Sequence, residues 1–404
     1  MLKVLISTTV RWPSAARLAG AFAESGCTPD ALFPDDHPLA ASRYPAGRHL
    51  YRPLRPLHSL RRAIEKSGPD LVVACDDRAV AHLLGLHAKA QDQADRSIRE
   101  LIQRSLGTPR HYAQMSSRSG FIAAAREAGI AAPQTVAVET ERDFDAALAA
   151  LGLPAVLKLD ASWGGDGVAL LRTAHEAKSA WRRLTRPPSR LRSLARAARR
   201  RDAHHLLAAL CPPHPSLSLQ RHVAGRPATT SFACWQGEVI AANHFDVLQT
   251  SGAHGPASVV KRVDDPAMDQ AARRLARRFE LSGLHGLDYV RDEAGAVHLI
   301  EINPRATQTG HLAFAGGDDL VAALVSRAGN AGQTQRPATP AGDLVALFPQ
   351  EWARDRASPW LGAAYHDVPW DDPRVIDACL ASQPSAPKST NAGAFGLAAI
   401  LNGR

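Results

Sequence analysis

The chain has 404 residues, 45% apolar and 22% charged, a globular composition too long for one ordinary core, so two or three lobes are expected. No apolar run approaches the roughly 20 residues that span a bilayer, and Met1–Ser7, followed at once by polar and basic residues, reads as a first strand and not as a leader. The net charge is +9, but Arg182–Arg201 alone holds nine arginines (182, 183, 186, 190, 192, 196, 199, 200 and 201) and no acid, so the remainder sums to 9 − 9 = 0. The basic character belongs to one segment, and the chain as a whole is not a nucleic-acid surface. Five cysteines (Cys27, Cys75, Cys211, Cys234, Cys379) are scattered without zinc spacing, so a reduced, cytoplasmic compartment is expected.

Residues 1–90 alternate short apolar runs with helix-length segments: Lys3–Ser7 then Ser14–Ser25, Asp30–Phe33, His49–Tyr51 then Leu57–Ser67, Leu71–Cys75 then Arg78–His87. That rhythm predicts an α/β domain with a doubly wound parallel sheet. Ligands of such sheets sit outside the carboxyl ends of the strands, which here carry Ser7-Thr8-Thr9 and Asp76-Asp77. Substrate contact and helix capping are both open to these residues. No G-x-G-x-x-G follows the first strand, so nothing supports a dinucleotide site.

Helices are predicted over Ser97–Leu106 and Ser117–Gly129, the second closed by Gly129 and Pro133. Ala155–Leu159 reads as a strand that enters Asp160–Gly167 and returns as Val168–Leu171. A strand with Lys158 near its end, followed by Ser162, Gly164, Gly165 and Gly167, suits a phosphate cover: glycines permit close backbone approach and the lysine supplies a point charge. It is not a Walker loop, because no Gly-Lys-Ser/Thr follows. Ser216–Val223 and Ala228–Trp235 are expected to pair about Gly225, with Glu238–Asn243 continuing that sheet and His244–Lys261 serving as a connection. Asp265–Glu280 has helical spacing of its apolar residues.

Gly286–Arg305 is the most informative stretch. Two apolar runs flank Asp292-Glu293-Ala294-Gly295, which predicts a hairpin. Period two puts Glu301 and Asn303 on one face and Ile300 and Ile302 on the other. If Asp288 lies across from Glu301, two carboxylates and a carboxamide converge, hard oxygen donors of the kind that hold Mg²⁺ against phosphates. Solvated acids on a surface hairpin are the plain alternative. Ala328–Pro340 reads as a linker, Ser382–Ala394 as loose chain, and Trp352, Trp360 and Trp370 are expected to pack the last segment onto the body.

Taken in order, the first sheet, Ser117–Pro133, Val156-Leu157-Lys158 with its glycine loop, Leu219–Gly225, Gly286-Leu287-Asp288 and Glu301-Ile302-Asn303-Pro304-Arg305 resemble the ATP-grasp superfamily, nearest the carboxylate-amine ligases and carbamoyl-phosphate-synthase-like enzymes. The resemblance spans about residues 1–325. It implies an amino-terminal pre-ATP-grasp domain over residues 1–112, a two-lobed α+β ATP-grasp domain over 113–330 with a lid lobe at about 155–222 and an Arg-rich insertion at 182–210, and an extension over 331–404. It further implies ATP and Mg²⁺ as cofactors. Arg118, Lys158 and Ser162–Gly167 would meet the phosphates, with Gln220 and the backbone of Val223 at the adenine edge. Asp288, Glu301 and Asn303 would hold Mg²⁺, and Arg305 would neutralise a phosphoryl or acyl-phosphate oxygen. Lys261 is a further candidate for the triphosphate or the acceptor. Two positions depart from the family pattern: Pro227 stands where an acid commonly meets the ribose, and Arg221 where an acid is frequent.

The implied activity is an ADP-forming ligase that joins a small-molecule carboxylate to an amine through an acyl phosphate. A kinase on the same fold and a non-catalytic ATP-binding module are the alternatives. The arginine segment is either a solvated cap or the docking site of an acidic partner; it lacks stacking aromatics, which disfavours specific RNA binding. No membrane partner is expected, and a homodimer is left open.

Overall fold

The computed structural model describes residues 1–90, 95–159, 167–186, 193, 216–252, 255–315, 318–329, 336–338 and 342–381. Three sheets organise it. The first is parallel, in the order β3-β2-β1-β4, from β1 (Lys3–Ser7), β2 (Thr28–Phe33), β3 (Arg48–Leu50) and β4 (Leu71–Ala74). Val4–Ile6 and Leu71–Ala74 are buried throughout, as a parallel sheet covered on both faces requires. Helices α1 (Ser14–Glu24), α2 (Pro56–Ser67), α3 (Asp77–Lys89) and α4 (Arg96–Leu106) supply that cover. Asp76 settles one open expectation by capping α3. It accepts from Ala79 N at 2.9 Å and also pins the end of β1, taking Thr9 N at 2.6 Å and the hydroxyls of Thr8 and Thr9 at 3.0 and 2.8 Å.

The second sheet is antiparallel and four-stranded, in the order β5-β8-β6-β7, from β5 (Thr135–Val138), β6 (Ala155–Leu159), β7 (Val168–Leu171) and β8 (Leu217–Arg221). Its own core joins Val138, Leu157, Leu171 and Leu219 to Phe144 and Trp181, whose rings stack at 4.8 Å. This lobe includes β5 and helix α7 (Glu141–Leu151), so it starts well before residue 155.

The third sheet has seven strands, β13-β12-β9-β10-β11-β14-β15, from β9 (Arg226–Trp235), β10 (Glu238–Thr250), β11 (Ala257–Val263), β12 (Gly283–Arg291), β13 (Val297–Asn303), β14 (Leu344–Leu347) and β15 (Tyr365–Asp367). Two expectations are corrected here. Residues 216–223 and 228–235 do not pair with each other: β8 belongs to the second sheet and β9 to the third. At Gly225, between them, the chain passes so close to the β12–β13 hairpin that a Cβ would meet Arg291 O at 2.1 Å. Nor is His244–Lys261 a plain connection, because it forms much of β10 and β11.

Residues 266–279 form a helix capped by Asp265, which accepts from Ala267 N and Met268 N. Its buried face covers one side of the large sheet. The C-terminal segment docks through Phe348, Trp352, Val368, Val375, Ile376 and Cys379 onto the core around α1, whereas Trp370 is 43% exposed. Cys27, Cys75, Cys234 and Cys379 are buried and form no disulfide among the described residues. Among the described residues no helix is long and apolar enough to cross a membrane. The loose segment expected after residue 381 and most of the arginine run lie outside the described residues; Arg182 and Arg183 close helix α8 (Ala174–Thr185).

Candidate active site

The β12–β13 register pairs Asp288 with Glu301 and Gly286 with Asn303, so all three polar side chains share one face of the large sheet. Asp288 and Asn303 belong to a continuous hydrogen-bonded string. Asp288 is half-buried; its Oδ1 accepts from Thr229 Oγ1 and its Oδ2 from Asn303 Nδ2, both at 2.9 Å. Asn303 Oδ1 accepts from Arg305 Nη2 at 3.0 Å, and Arg305 Nε reaches Asp77 Oδ1 at 3.3 Å. Ala306 N donates to Ala74 O at 2.9 Å, which fastens the carboxyl end of β4 to the same loop. The first sheet therefore delivers Asp77, the first residue of α3, to the metal-type strand.

Burial, with the Glu301 charge added, pushes the Asp288 carboxyl above its ordinary range, against the bonds from Asn303 and Thr229. Burial opposes the charge on Arg305, but Asp77, Asp76 and Asp288 outweigh it and hold the guanidinium protonated. A carboxyl raised by burial and by a neighbouring negative charge favours a cation beside it. Asp288, Glu301 and Asn303 offer oxygen donors only, which suits a hard divalent ion. The set is two carboxylates and an amide; among the described residues no three His, Cys, Asp or Glu side chains group to hold a metal.

Glu301 Oε1 accepts from Arg118 Nη2 at 3.0 Å, and Arg118 Nη1 donates to Leu159 O at 3.3 Å. Arg118 opens helix α6 (Arg118–Glu127), whose cap is Ser117. It thus reaches from the metal-type strand to the end of β6. On the second sheet Lys158 pairs with Val168 and Ser218, and Gln220 pairs with Val156 and Thr135. Period two puts Lys158 and Gln220 on the face opposite Leu157 and Leu219, away from that lobe's core, and both are buried. Gln220 Nε2 donates to Thr135 Oγ1 at 2.9 Å. Leu159 N bonds Gly167 O at 2.8 Å at the base of the glycine loop, while Ser162, Gly164 and Gly165 lie outside the described residues. Val223 is half-buried at the crossing from β8 to β9.

Lys261 is not brought to this group. It is exposed on β11, in register with Asp246 on β10 and, through it, with Ala228 and Tyr289, so it points to the opposite face of the sheet from Asp288. One residue of register decides this, since Arg262 lines up with Phe245, Thr229 and Asp288 instead. Arg262 bonds Asp343 at 2.8 Å and lies over the Phe314 ring. Sequence reasoning passed over Thr229, Ser231, Thr307 and Thr309. Ser231 Oγ lies 2.5 Å from Thr307 Oγ1 and 2.6 Å from Thr309 Oγ1, on the same face as Asn303. The polar run Thr229-Thr230-Ser231 inside a strand that is apolar on either side was the available signal. Pro227 stands opposite Val290 near the start of β9.

Residues 206–309, from the segment before β8 to the loop beyond Arg305, match the model of the ATP-grasp domain. The chain contains an ATP-grasp domain. Solved structures extend the likeness in fold to 80–83% of the chain. N5-carboxyaminoimidazole ribonucleotide synthetase from Thermus thermophilus is 16% identical over 80% of this chain and 77% of its own, with a TM-score of 0.55. The Aspergillus clavatus N5-carboxyaminoimidazole synthase, in complex with ADP and 5-aminoimidazole ribonucleotide, gives 14% over 80% and 77%, with a TM-score of 0.56. The biotin carboxylase domain of Hydrogenobacter thermophilus 2-oxoglutarate carboxylase, a dimer in complex with MgADP, ADP and bicarbonate, gives 15% over 83% and 71%, with a TM-score of 0.58. No curated protein matches the sequence.

Proposed function

We propose that the protein is an ATP- and Mg²⁺-dependent ligase that joins a small-molecule carboxylate to an amine, releasing ADP and phosphate. The observation that carries this reading is the string Thr229–Asp288–Asn303–Arg305–Asp77, with Glu301 beside Asp288 and Arg118 leading from it to the second sheet. It combines acidic oxygen donors with two arginines, the parts that phosphoryl transfer needs.

In this reading the second sheet is the lid and the third the metal-bearing lobe. Lys158 and Arg118 hold the nucleotide phosphates, and Gln220 and the Val223 backbone lie at the base. Asp288, Glu301 and Asn303 would hold Mg²⁺, which when bound would supply positive charge to offset that of the phosphates. The substrate carboxylate oxygen attacks the terminal phosphorus, the bond to the ADP oxygen breaks, and an acyl phosphate forms. Arg305 lies where it balances charge on the transferred group, and Asp77 and Asn303 fix its plane. An amine nitrogen then attacks the acyl carbon, phosphate leaves, and the nitrogen gives up a proton. The amino-terminal strand ends face this loop and supply the wall on which acid or amine is selected.

Incubation with ATP, Mg²⁺, a panel of carboxylic acids and hydroxylamine is expected to yield a hydroxamate. Acid-dependent ADP release with no trapped acyl group, or a stable phosphorylated product, would refute the ligase reading in favour of a kinase. ATP-dependent thermal stabilisation without phosphate release would point to a binding module.

A further inference from the structure

Arg118 bonds at once to a candidate metal carboxylate and to the lid sheet, through Glu301 Oε1 and Leu159 O. Its side chain is 9% exposed and that of Glu301 33%. The backbone beneath it is fixed, because Ser117 caps α6 and Phe121 and Ile122 are buried in the core shared with Leu299 and Ile302. Only the side-chain stem is free to redirect the guanidinium.

We infer that Arg118 sets the order of binding: its guanidinium competes with a divalent cation for Glu301 and yields that carboxylate only when nucleotide phosphates take the guanidinium instead. This rests on the nucleotide site proposed above. A cation bonded to Glu301 Oε1 would stand beside a guanidinium nitrogen 3.0 Å from the same oxygen, so two positive centres would share one acceptor. Moving Arg118 aside without a substitute separates a largely buried guanidinium from a carboxylate partner, which is costly. Phosphate oxygens match the planar fork and remove that cost. Cation and nucleotide therefore assist each other, and the assistance is reciprocal. A lysine in this place, with a point charge, would not span Leu159 O and Glu301 as the fork does.

The test titrates the full chain with Mn²⁺ alone and with saturating ADP, following free Mn²⁺ by electron paramagnetic resonance and correcting for Mn·ADP in solution. Arg118→Met, which keeps the stem, is expected to bind bare Mn²⁺ about 10-fold more tightly than the wild type and to lose a similar factor from the ADP-Mn²⁺ coupling. Arg118→Lys should fall between, and Glu301→Gln should lose bare Mn²⁺ binding in either background. Bare Mn²⁺ affinity no higher in Arg118→Met than in wild type, or coupling that is unchanged, overturns the inference. Should Arg118→Met unfold more readily in urea, Arg118→Lys carries the same comparison. A wild type that binds no ADP at all would instead overturn the nucleotide reading, and the binding order with it.

Discussion

Asp76 and Asp77 are neighbours of the same charge, and the structure assigns them opposite duties. Asp76 is buried and each of its oxygens accepts two bonds: Oδ2 from Thr9 N and Thr8 Oγ1, Oδ1 from Thr9 Oγ1 and Ala79 N. In Asp76→Asn one oxygen becomes an amide nitrogen. Either that group faces the Thr9 N–H, donor against donor, or it turns over and gives up the helix cap. The first leaves a buried backbone N–H unpaired, at about 1–3 kcal/mol, and both forfeit charge assistance; a lost cap alone costs about 1 kcal/mol. A total of about 2–4 kcal/mol follows. Asp77 is about one-third exposed and makes one long bond, 3.3 Å to Arg305, so Asp77→Asn should cost less than about 1 kcal/mol of stability. Its effect belongs on the site, where Arg305 loses a partner. Urea unfolding at pH 7, followed by circular dichroism, separates the two variants. Equal losses, or a loss below about 1 kcal/mol for Asp76→Asn, would refute the division of roles.

Three further outcomes are expected. Glu301→Gln should weaken Mg²⁺-dependent ADP binding by at least about 10-fold in calorimetry, because a charged oxygen donor is lost. Asp288 must be ionised to hold a cation, and its carboxyl sits above the ordinary range through burial and the Glu301 charge. Cation affinity should therefore decline at a higher pH than an ordinary carboxylate dictates as the solution is acidified, and a Mn²⁺ titration across pH 4–7 measures this. Burial alone would raise the Asp367 carboxyl, but Arg17 at 2.6 Å and His311 at 2.8 Å outweigh it and bring it to about 2. Since the folded value is the lower one, the stabilisation is complete above the unfolded value near 4 and is lost as pH falls through about 2. Asp367→Asn should remove about 2 kcal/mol at pH 7, read from urea midpoints.

The first sheet was legible because parallel strands buried on both faces read as unbroken apolar runs, as in Leu71–Ala74. The metal-type hairpin was legible because a turn signal marks it and period two puts Glu301 and Asn303 on one face; that Asp288 meets Glu301 depends on a register shift between Asp288 and Tyr289, which spacing alone does not show. Pairing between distant strands was not. The sequence marks β8 and β9 as strands on either side of Gly225, yet the reason they part company is a carbonyl 66 positions away, that of Arg291. The second half of β10 and strand β11 hid because His244, Asp246 and Gln249 break the apolar run and Gly252 and Gly255 mark the turn between them. Lys261 failed for a related cause: within a strand the composition of a neighbourhood says nothing of the face, and Arg262 has the face that Lys261 lacks. Asp77 was flagged as a strand-end acid, but its partner Arg305 is 228 residues distant and becomes visible only when the two domains dock.

That docking explains why the site is strung as it is. Asp288 alone is a half-buried acid beside another acid, an arrangement that burial penalises. Asn303 serves it as donor and, through its oxygen, accepts from Arg305, so one amide links the buried acid to a guanidinium. Arg305 is then held by a carboxylate from the other domain, and Ala306 N fixes the loop to Ala74 O. Charge is thereby balanced across the domain boundary at Asp77 and Arg305, while Arg118, at the head of α6, pairs with Glu301 beside the end of β6. The amino-terminal domain supplies the counter-charge to Arg305, and the carboxylate pair itself is set by the β12–β13 register. A change at Asp77 or Arg118 therefore acts on the same two acids from opposite sides, and their effects on cation binding should not add independently.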